Sequence, residues 1–290
     1  MIVKLMSWFM YYLISGVSFF IGAGLVAGAL TLKLIINKKQ ANIISLVFFI
    51  FGFSLVLVSA TPLPLWFYAI WLISTLFWIS QAFRKKPSSK IHFRIGAVCL
   101  ILVPIMACVW EMFYFFPPNI PDRNFNAVYV VGDSVSAGLN RRIETPWPDI
   151  LRERQSLKVV NLAQPGATLT LAREQAAEIP AGDSLIILEI GGNDIIAKIK
   201  PAQFKTDLED LLASVQHPER TLVMFELPLL PFTAEYGRIQ RSLAKKYDVI
   251  LIPKRYFAGI ICRTENTLDG IHLSKKGHQE MAAMVADLLW

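Results

Sequence analysis

Residues 5–32 contain no charged side chain, and no other feature restricts the folding of this chain so strongly. About 20 consecutive apolar residues cross a bilayer core as a helix. A run of this length therefore points to a membrane rather than to a buried helix of a soluble domain. Three more runs follow. Residues 41–60 end at Thr61-Pro62-Leu63-Pro64, residues 65–83 carry Trp and Phe near their ends as interfacial belts do, and residues 95–116 are interrupted only by Glu111. Together the four runs predict an all-α, four-helix transmembrane region over residues 1–116.

Composition supports this division. The chain is 54% hydrophobic with a mean hydropathy of +0.47, above the roughly 45–50% apolar content of soluble proteins. Residues 1–120 carry nine Lys/Arg and one acid, Glu111, whereas residues 121–290 carry twenty Lys/Arg against twenty-one Asp/Glu. The net charge of +7 thus belongs to the first part alone and is not a signal for nucleic acid. Lys33, Lys38 and Lys39 follow the first run, and Arg84, Lys85, Lys86, Lys90 and Arg94 follow the third; the second connection has no charge. Positive loops stay in the cytoplasm. The expectation is a multi-pass protein of the inner (plasma) membrane whose C-terminal domain faces the periplasm or exterior. Lys4 argues the other way, as does reading the first run as a signal peptide, but the run is about twice the usual 7–15-residue signal core. Cys99 and Cys108 fall in an apolar run and Cys262 stands alone, so no disulfide framework or Cys-based metal site is indicated.

Inside the bundle, Gly24 and Gly28 form a G-x-x-x-G pair that either packs helices closely or is incidental. Glu111 is an ionisable residue at nominal membrane depth, but Trp110, Tyr114 and Pro117-Pro118 place it near the interface, where it reaches water. Residues 117–126, with three prolines, form a short stiff linker.

From residue 127 to 290, strand-like runs (127–131, 158–161, 184–190, 221–226, 249–252) alternate with helix-like segments (146–154, 169–178, 202–216, 234–247, 275–289). That alternation predicts an α/β domain with a parallel sheet covered by helices on both faces. The first strand ends in Gly132-Asp133-Ser134, which delivers a serine to the carboxyl edge, where open α/β sheets place their sites. Serine needs a base, and the base needs an orienting group. Of the three histidines here, His217 precedes a proline in a loop and His278 falls within the last helix as a surface residue. His272 alone has a carboxylate three residues before it, in Asp269-Gly270-Ile271-His272. Ser136 competes with Ser134 but more naturally begins a helix. Gly132-Asp133-Ser134-Val135-Ser136 lacks the second glycine of the G-x-S-x-G elbow. Oxyanion donors are available from the Ser134 N–H, the Gly166 N–H and the Asn193 side chain. Asp133 and Asp194 read as braces for their loops.

These blocks resemble the SGNH (GDSL-type) hydrolase family, whose Ser, Gly, Asn and His blocks are matched in order by Ser134, Gly166, Asn193 and His272, with Asp269 in the place of the family's aspartate. The motif form, with Trp147-Pro148 and Ile150-Leu151, is similar to the thioesterase I/lysophospholipase L1 branch. The resemblance implies a flavodoxin-like three-layer fold and a Ser134–His272–Asp269 triad with an oxyanion hole of Ser134, Gly166 and Asn193. It calls for no metal or organic cofactor. The four runs depart from that branch, whose members are usually soluble.

The expected function is a membrane-anchored serine esterase acting on an O-acetyl or short acyl ester of a cell-envelope glycan or lipid. Its partners would be that substrate and the bilayer. An acyltransferase drawing on a membrane-protein partner, a lysophospholipase or thioesterase, and a non-catalytic envelope scaffold are the alternatives. An outward face disfavours cytoplasmic acyl-CoA.

Overall fold

A computed structural model describes residues 2–35, 39–82, 90–120, 125–141, 143–155 and 158–290. Two compact units are present: residues 1–15, 116–229 and 235–290 form one, and residues 16–115 with 230–234 form the other. This differs from a simple division at residue 116, because the first helix groups with the catalytic unit.

Helices α1 (Ile2–Ile14), α2 (Val17–Ile35), α3 (Lys39–Val58), α4 (Leu65–Ala82) and α5 (Lys90–Met112) account for the apolar runs. The run over residues 5–32 is not one straight span. Gly16 takes φ +90, outside the helical region and open chiefly to glycine, and the run divides there into two helices. Among the described residues, Ile95–Met112 is a single helix long and apolar enough to cross a membrane, at a mean hydropathy of 2.2. The bent pair Met6–Ile14 and Val17–Leu32 passes the same test together, and Ile43–Val58 and Leu65–Phe77 are shorter apolar helices. Lys38, Arg84, Lys85 and Lys86 of the charged connections, and residues 121–124 of the linker, lie outside the described residues.

The helical unit buries Phe19, Val26, Val56, Trp71, Leu100 and Val103 against one another, yet leaves Leu46, Leu72, Ile73, Leu76 and Val109 facing outward. Helices α2 and α3 meet at glycines, though not those singled out above. A Cβ on Gly22 would lie 2.5 Å from the Gly52 carbonyl oxygen, and one on Gly52 would lie 2.7 Å from that of Gly22. Gly24 and Gly28 face open space. Two residues of helix turn a side chain by about 200°, so Gly24 points away from the face that Gly22 presents. Glu111 is buried rather than water-exposed. It shares the helix face of Leu100, Val103 and Ala107, which is the inward face of α5.

The catalytic unit contains β1 (Val128–Gly132), α6 (Ser134–Ala137), α7 (Trp147–Gln155), β2 (Val159–Asn161), α8 (Leu169–Ala177), β3 (Ser184–Glu189), α9 (Gly192–Ile196), α10 (Pro201–Val215), β4 (Arg220–Phe225), α11 (Ala234–Lys246), β5 (Ile250–Ile252), α12 (Lys254–Ile261) and α13 (Lys275–Leu289). The five strands are all parallel in the order β2-β1-β3-β4-β5. The β-branched and leucine-rich sequences of the three central strands, β1, β3 and β4, are buried on both faces, as a covered parallel sheet requires. Val128, Val130, Leu185, Ile187, Val223 and Phe225 pack against Trp147 and Leu151 of α7, Phe257 and Ile260 of α12, and Met281 and Val285 of α13. The alternate strand residues point to the other face, where α8 touches β1 and packs against α10.

Helix α1 lies against α12, with the Ser7 hydroxyl donating to the Cys262 carbonyl. Helix α12 itself was not expected. Pro253 stands just before it and the strand ahead is only three residues long, so the segment reads locally as a loop.

Candidate active site

In the order 2-1-3-4-5 the chain reverses its direction of travel between β1 and β3, and the crevice outside their carboxyl ends is where such sheets bind ligands. Register sharpens that placement. Gly132 pairs with Glu189, so the turn leaving β1 and the turn leaving β3 begin level with each other. The first carries Asp133 and Ser134; the second carries Gly191, Gly192, Asn193 and Asp194. Leu162 N and Gln164 N donate to the carbonyls of Val130 and Gly132 at 2.9 and 3.2 Å, which runs the loop bearing Gly166 along β1 toward the same edge.

Ser134 opens α6 and is 7% exposed. Asp133 caps that helix, accepting from Val135 N at 2.9 Å through Oδ1. Asn193 joins the three loops: its Nδ2 donates to the Ala167 carbonyl at 2.9 Å and to Asp133 Oδ2 at 3.3 Å. Gly166, next to Ala167, has φ +76, a conformation suited to glycine, and is exposed. For the Asn193 amide to face an oxyanion, the longer of its two bonds, to Asp133, is the one to exchange. Asp194 accepts from Leu169 N at 3.1 Å. Both aspartates therefore brace loops.

Asp269 and His272 are joined directly, with Oδ2 2.6 Å from Nδ1. Asp269 Oδ1 accepts from the backbone N–H of His272 at 2.9 Å and of Ile271 at 3.0 Å. These backbone donors and the imidazole hold its carboxyl down at about 2. One carboxylate thus fixes both the loop and the ring. With Nδ1 held, Nε2 is the nitrogen left to handle a proton. The charge of His272 reaches Asp133 and favours its ionised form, although burial, the largest influence, pushes that carboxyl up to about 6. The histidine and the residue preceding Ser134 are therefore electrostatic neighbours.

Ser136 has a different place. It is fully buried, donates to Glu189 Oε2 at 2.9 Å and accepts from Trp147 Nε1 at 3.2 Å. The Trp147 backbone N–H in turn donates to His278 Nδ1 at 3.3 Å. His278 is buried, contrary to the expected surface position. It is spaced from Met281, Ala282 and Val285 by three, four and seven residues, the inward stripe of α13, and burial holds its imidazole below the ordinary value. His217, by contrast, is exposed. Glu189 was not foreseen as part of the site. It is completely buried, accepts from the Ser136 hydroxyl, and burial with the nearby Asp133 charge raises its carboxyl well above the usual range. A carboxylate closing an otherwise apolar strand was the available signal.

The unit thus holds a serine and an asparagine at the switch point of its sheet and, on a separate loop, a carboxylate-bound histidine. A family model described as GDSL-like lipase/acylhydrolase matches residues 130–280, and the chain belongs to that family: it is a hydrolase of ester bonds. Over 183 residues it is 28% identical to thioesterase 1/protease 1/lysophospholipase L1 of Escherichia coli (strain K12), covering 57% of this chain and 83% of that protein. Over 191 residues it is 26% identical to an arylesterase of Vibrio mimicus, covering 60% and 94%. Among solved structures, that of TesA aligns with 56% of this chain and 97% of its own at a TM-score of 0.48 and 24% identity.

Proposed function

We propose that this chain is a membrane-anchored serine esterase that hydrolyses an acyl ester of an envelope lipid or glycan. Ser134 attacks the ester carbonyl, and His272 takes its proton and returns it to the departing alcohol. Water then enters by the same route to release the acid. Asp269 holds the imidazole in the required tautomer, while the N–H groups of Ser134 and Gly166 and the amide of Asn193 receive the oxyanion. The observation that carries this reading is the 2.6 Å Asp269–His272 pair.

Anchoring is supported by the apolar runs, by Ile95–Met112 and by the outward aliphatic side chains of the helical unit, which water would not favour. The positive connections support a catalytic unit on the outer side. A reporter fused after Trp290 is expected to be active only in the outer compartment; activity in the cytoplasm overturns that placement and restores acyl-CoA as a substrate.

The chemistry is tested on the full chain in detergent with p-nitrophenyl esters from acetyl to long acyl, beside Ser134→Ala, and by fluorophosphonate labelling. Serine-dependent turnover supports the esterase. Labelling without turnover moves the reading to an acyltransferase whose acceptor is a sugar hydroxyl, and neither result leaves a scaffold.

A further inference from the structure

Exposed aliphatic side chains in the catalytic unit are not scattered. Among the described residues from 125 onward in that unit, the exposed large hydrophobic side chains are Leu139, Ile143, Ile196, Leu268, Ile271 and the terminal Trp290. All but the last lie on the segments that deliver the site. Leu139 and Ile143 follow Ser134 on the chain leaving α6. Ile196 ends α9, three residues after Asn193. Leu268 and Ile271 immediately precede Asp269 and His272. Ile143, Ile196 and Leu268 are 72%, 63% and 61% exposed. Among the described residues, the outer faces of α7, α8 and α10–α12 carry no comparable residue, whereas α1, which groups with the same unit, exposes Met6, Trp8 and Phe9.

Single exposed aliphatics need no explanation, but a set confined to one edge marks a contact surface. The charge on the same segments says what kind. Arg141, Lys198 and Lys200 are exposed, while the acids beside them are turned inward. Glu144 is buried, accepting from the N–H groups of Leu139 and Asn140, and Asp194 is buried on Leu169 N. Asp269 and Glu265, exposed acids on the loop before α13, are engaged with His272 and Lys276. Aliphatic side chains interleaved with outward cations form the pattern that partitions into the headgroup layer of an anionic bilayer.

We propose that the site-bearing edge of the sheet docks onto an anionic bilayer surface through Leu139, Ile143, Ile196, Leu268 and Ile271, with Arg141, Lys198 and Lys200 on the headgroups. The esterase then draws on an acyl ester whose chain stays in the membrane. The substrate half of this inference rests on the esterase reading; the docking half does not.

The test uses the full chain in nanodiscs, with Cys99, Cys108 and Cys262 replaced by Ala and an environment-sensitive NBD fluorophore on Ile143→Cys, Ile196→Cys or, at the opposite edge of the sheet, Glu219→Cys. With phosphatidylglycerol present, spin-labelled lipid is expected to quench the labels at 143 and 196 about twofold more than that at 219. Equal quenching at all three positions, or unchanged quenching in discs of phosphatidylcholine alone, overturns the proposal. In parallel, the Ile143→Asp/Ile196→Asp variant is expected to hydrolyse a long-chain lysophospholipid in anionic vesicles about tenfold more slowly while keeping its rate on p-nitrophenyl acetate. Equal loss on both substrates shows a structural defect and counts against docking. Chain-length dependence without quenching assigns the patch to the substrate's acyl chain and also overturns it. If the parent hydrolyses neither ester, the esterase reading fails, and the quenching arm still decides the docking.

Discussion

Glu189 offers the sharpest test of how the nucleophile turn is held. Its carboxyl group is fully buried and accepts from the Ser136 hydroxyl. Glu189→Ala leaves the Ser136 hydroxyl without that acceptor, and a stranded buried donor costs about 1–3 kcal/mol. Adding the lost side-chain packing, the variant should be destabilised by about 3 kcal/mol, a sizeable fraction of a typical domain's stability of about 5–15 kcal/mol. Glu189→Gln keeps the shape and one carbonyl acceptor, so it should cost only about 1 kcal/mol. The two variants also differ from the parent in pH dependence. Burial raises the folded-state pKa of Glu189 above its unfolded value. Over the window between those two values the folded state therefore binds more protons than the unfolded, and stability falls as pH rises. Glu189→Gln removes that proton and should flatten the slope by up to about 1.4 kcal/mol per pH unit. Asp133, raised to about 6 by burial, adds a slope of the same sign in both proteins up to that pH. The assay is pulse proteolysis in urea of the full chain in detergent, at several values between about pH 5 and 8. Parallel stability–pH curves for parent and Glu189→Gln, or a Glu189→Ala variant as stable as the parent, refute the buried acceptor role.

Three further outcomes follow from distances on the page. Asp269→Asn removes the acceptor 2.6 Å from His272 Nδ1; kcat on p-nitrophenyl esters should fall about 10³–10⁴-fold with little change in KM, and a loss under tenfold would remove Asp269 from the mechanism. Arg241→Met strands the Glu226 carboxylate, buried and 2.6 Å from Arg241 Nε, and should cost about 3–5 kcal/mol by urea unfolding, with the cost shrinking in the Arg241→Met/Glu226→Gln double variant. Gly277→Ala would put a Cβ 1.9 Å from the Asn266 carbonyl oxygen, forcing the loop before α13 to move; we expect about 2 kcal/mol or more of destabilisation together with reduced turnover, since that loop carries Asp269 and His272.

Much of the site was legible because its parts are local. An apolar run ending in Gly132-Asp133-Ser134 predicts the strand, the turn and the serine within a few residues. Asp269 and His272 are three residues apart, close enough for one loop to bring them together. What escaped was non-local or depended on direction. His278 was read as a surface residue although its spacing from Met281, Ala282 and Val285 puts it on the apolar stripe of α13; its partner there, the Trp147 N–H, lies 131 positions away. The apolar run over residues 5–32 concealed a break that depends on the φ of one glycine. The glycine contact between α2 and α3 pairs residues thirty apart, and a two-residue error in choosing the glycine turns the contact to the opposite side of the helix.

The sequence by itself determined the alternation of strand and helix, the separation of an apolar, basic first part from a near-neutral second part, and the local Asp269–His272 spacing. These follow from periodicity, composition and short-range spacing, which the chain carries whatever its partners. Only the tertiary structure decided that Ser136 belongs to a buried chain from Trp147 to Glu189 and that Asn193 ties the loops at Asp133 and Ala167 together. It also decided that the exposed aliphatic residues share the edge bearing the site. Those relations join segments tens of residues apart, and only parallel pairing in the order 2-1-3-4-5 brings the ends of β1 and β3 level and so brings the segments together.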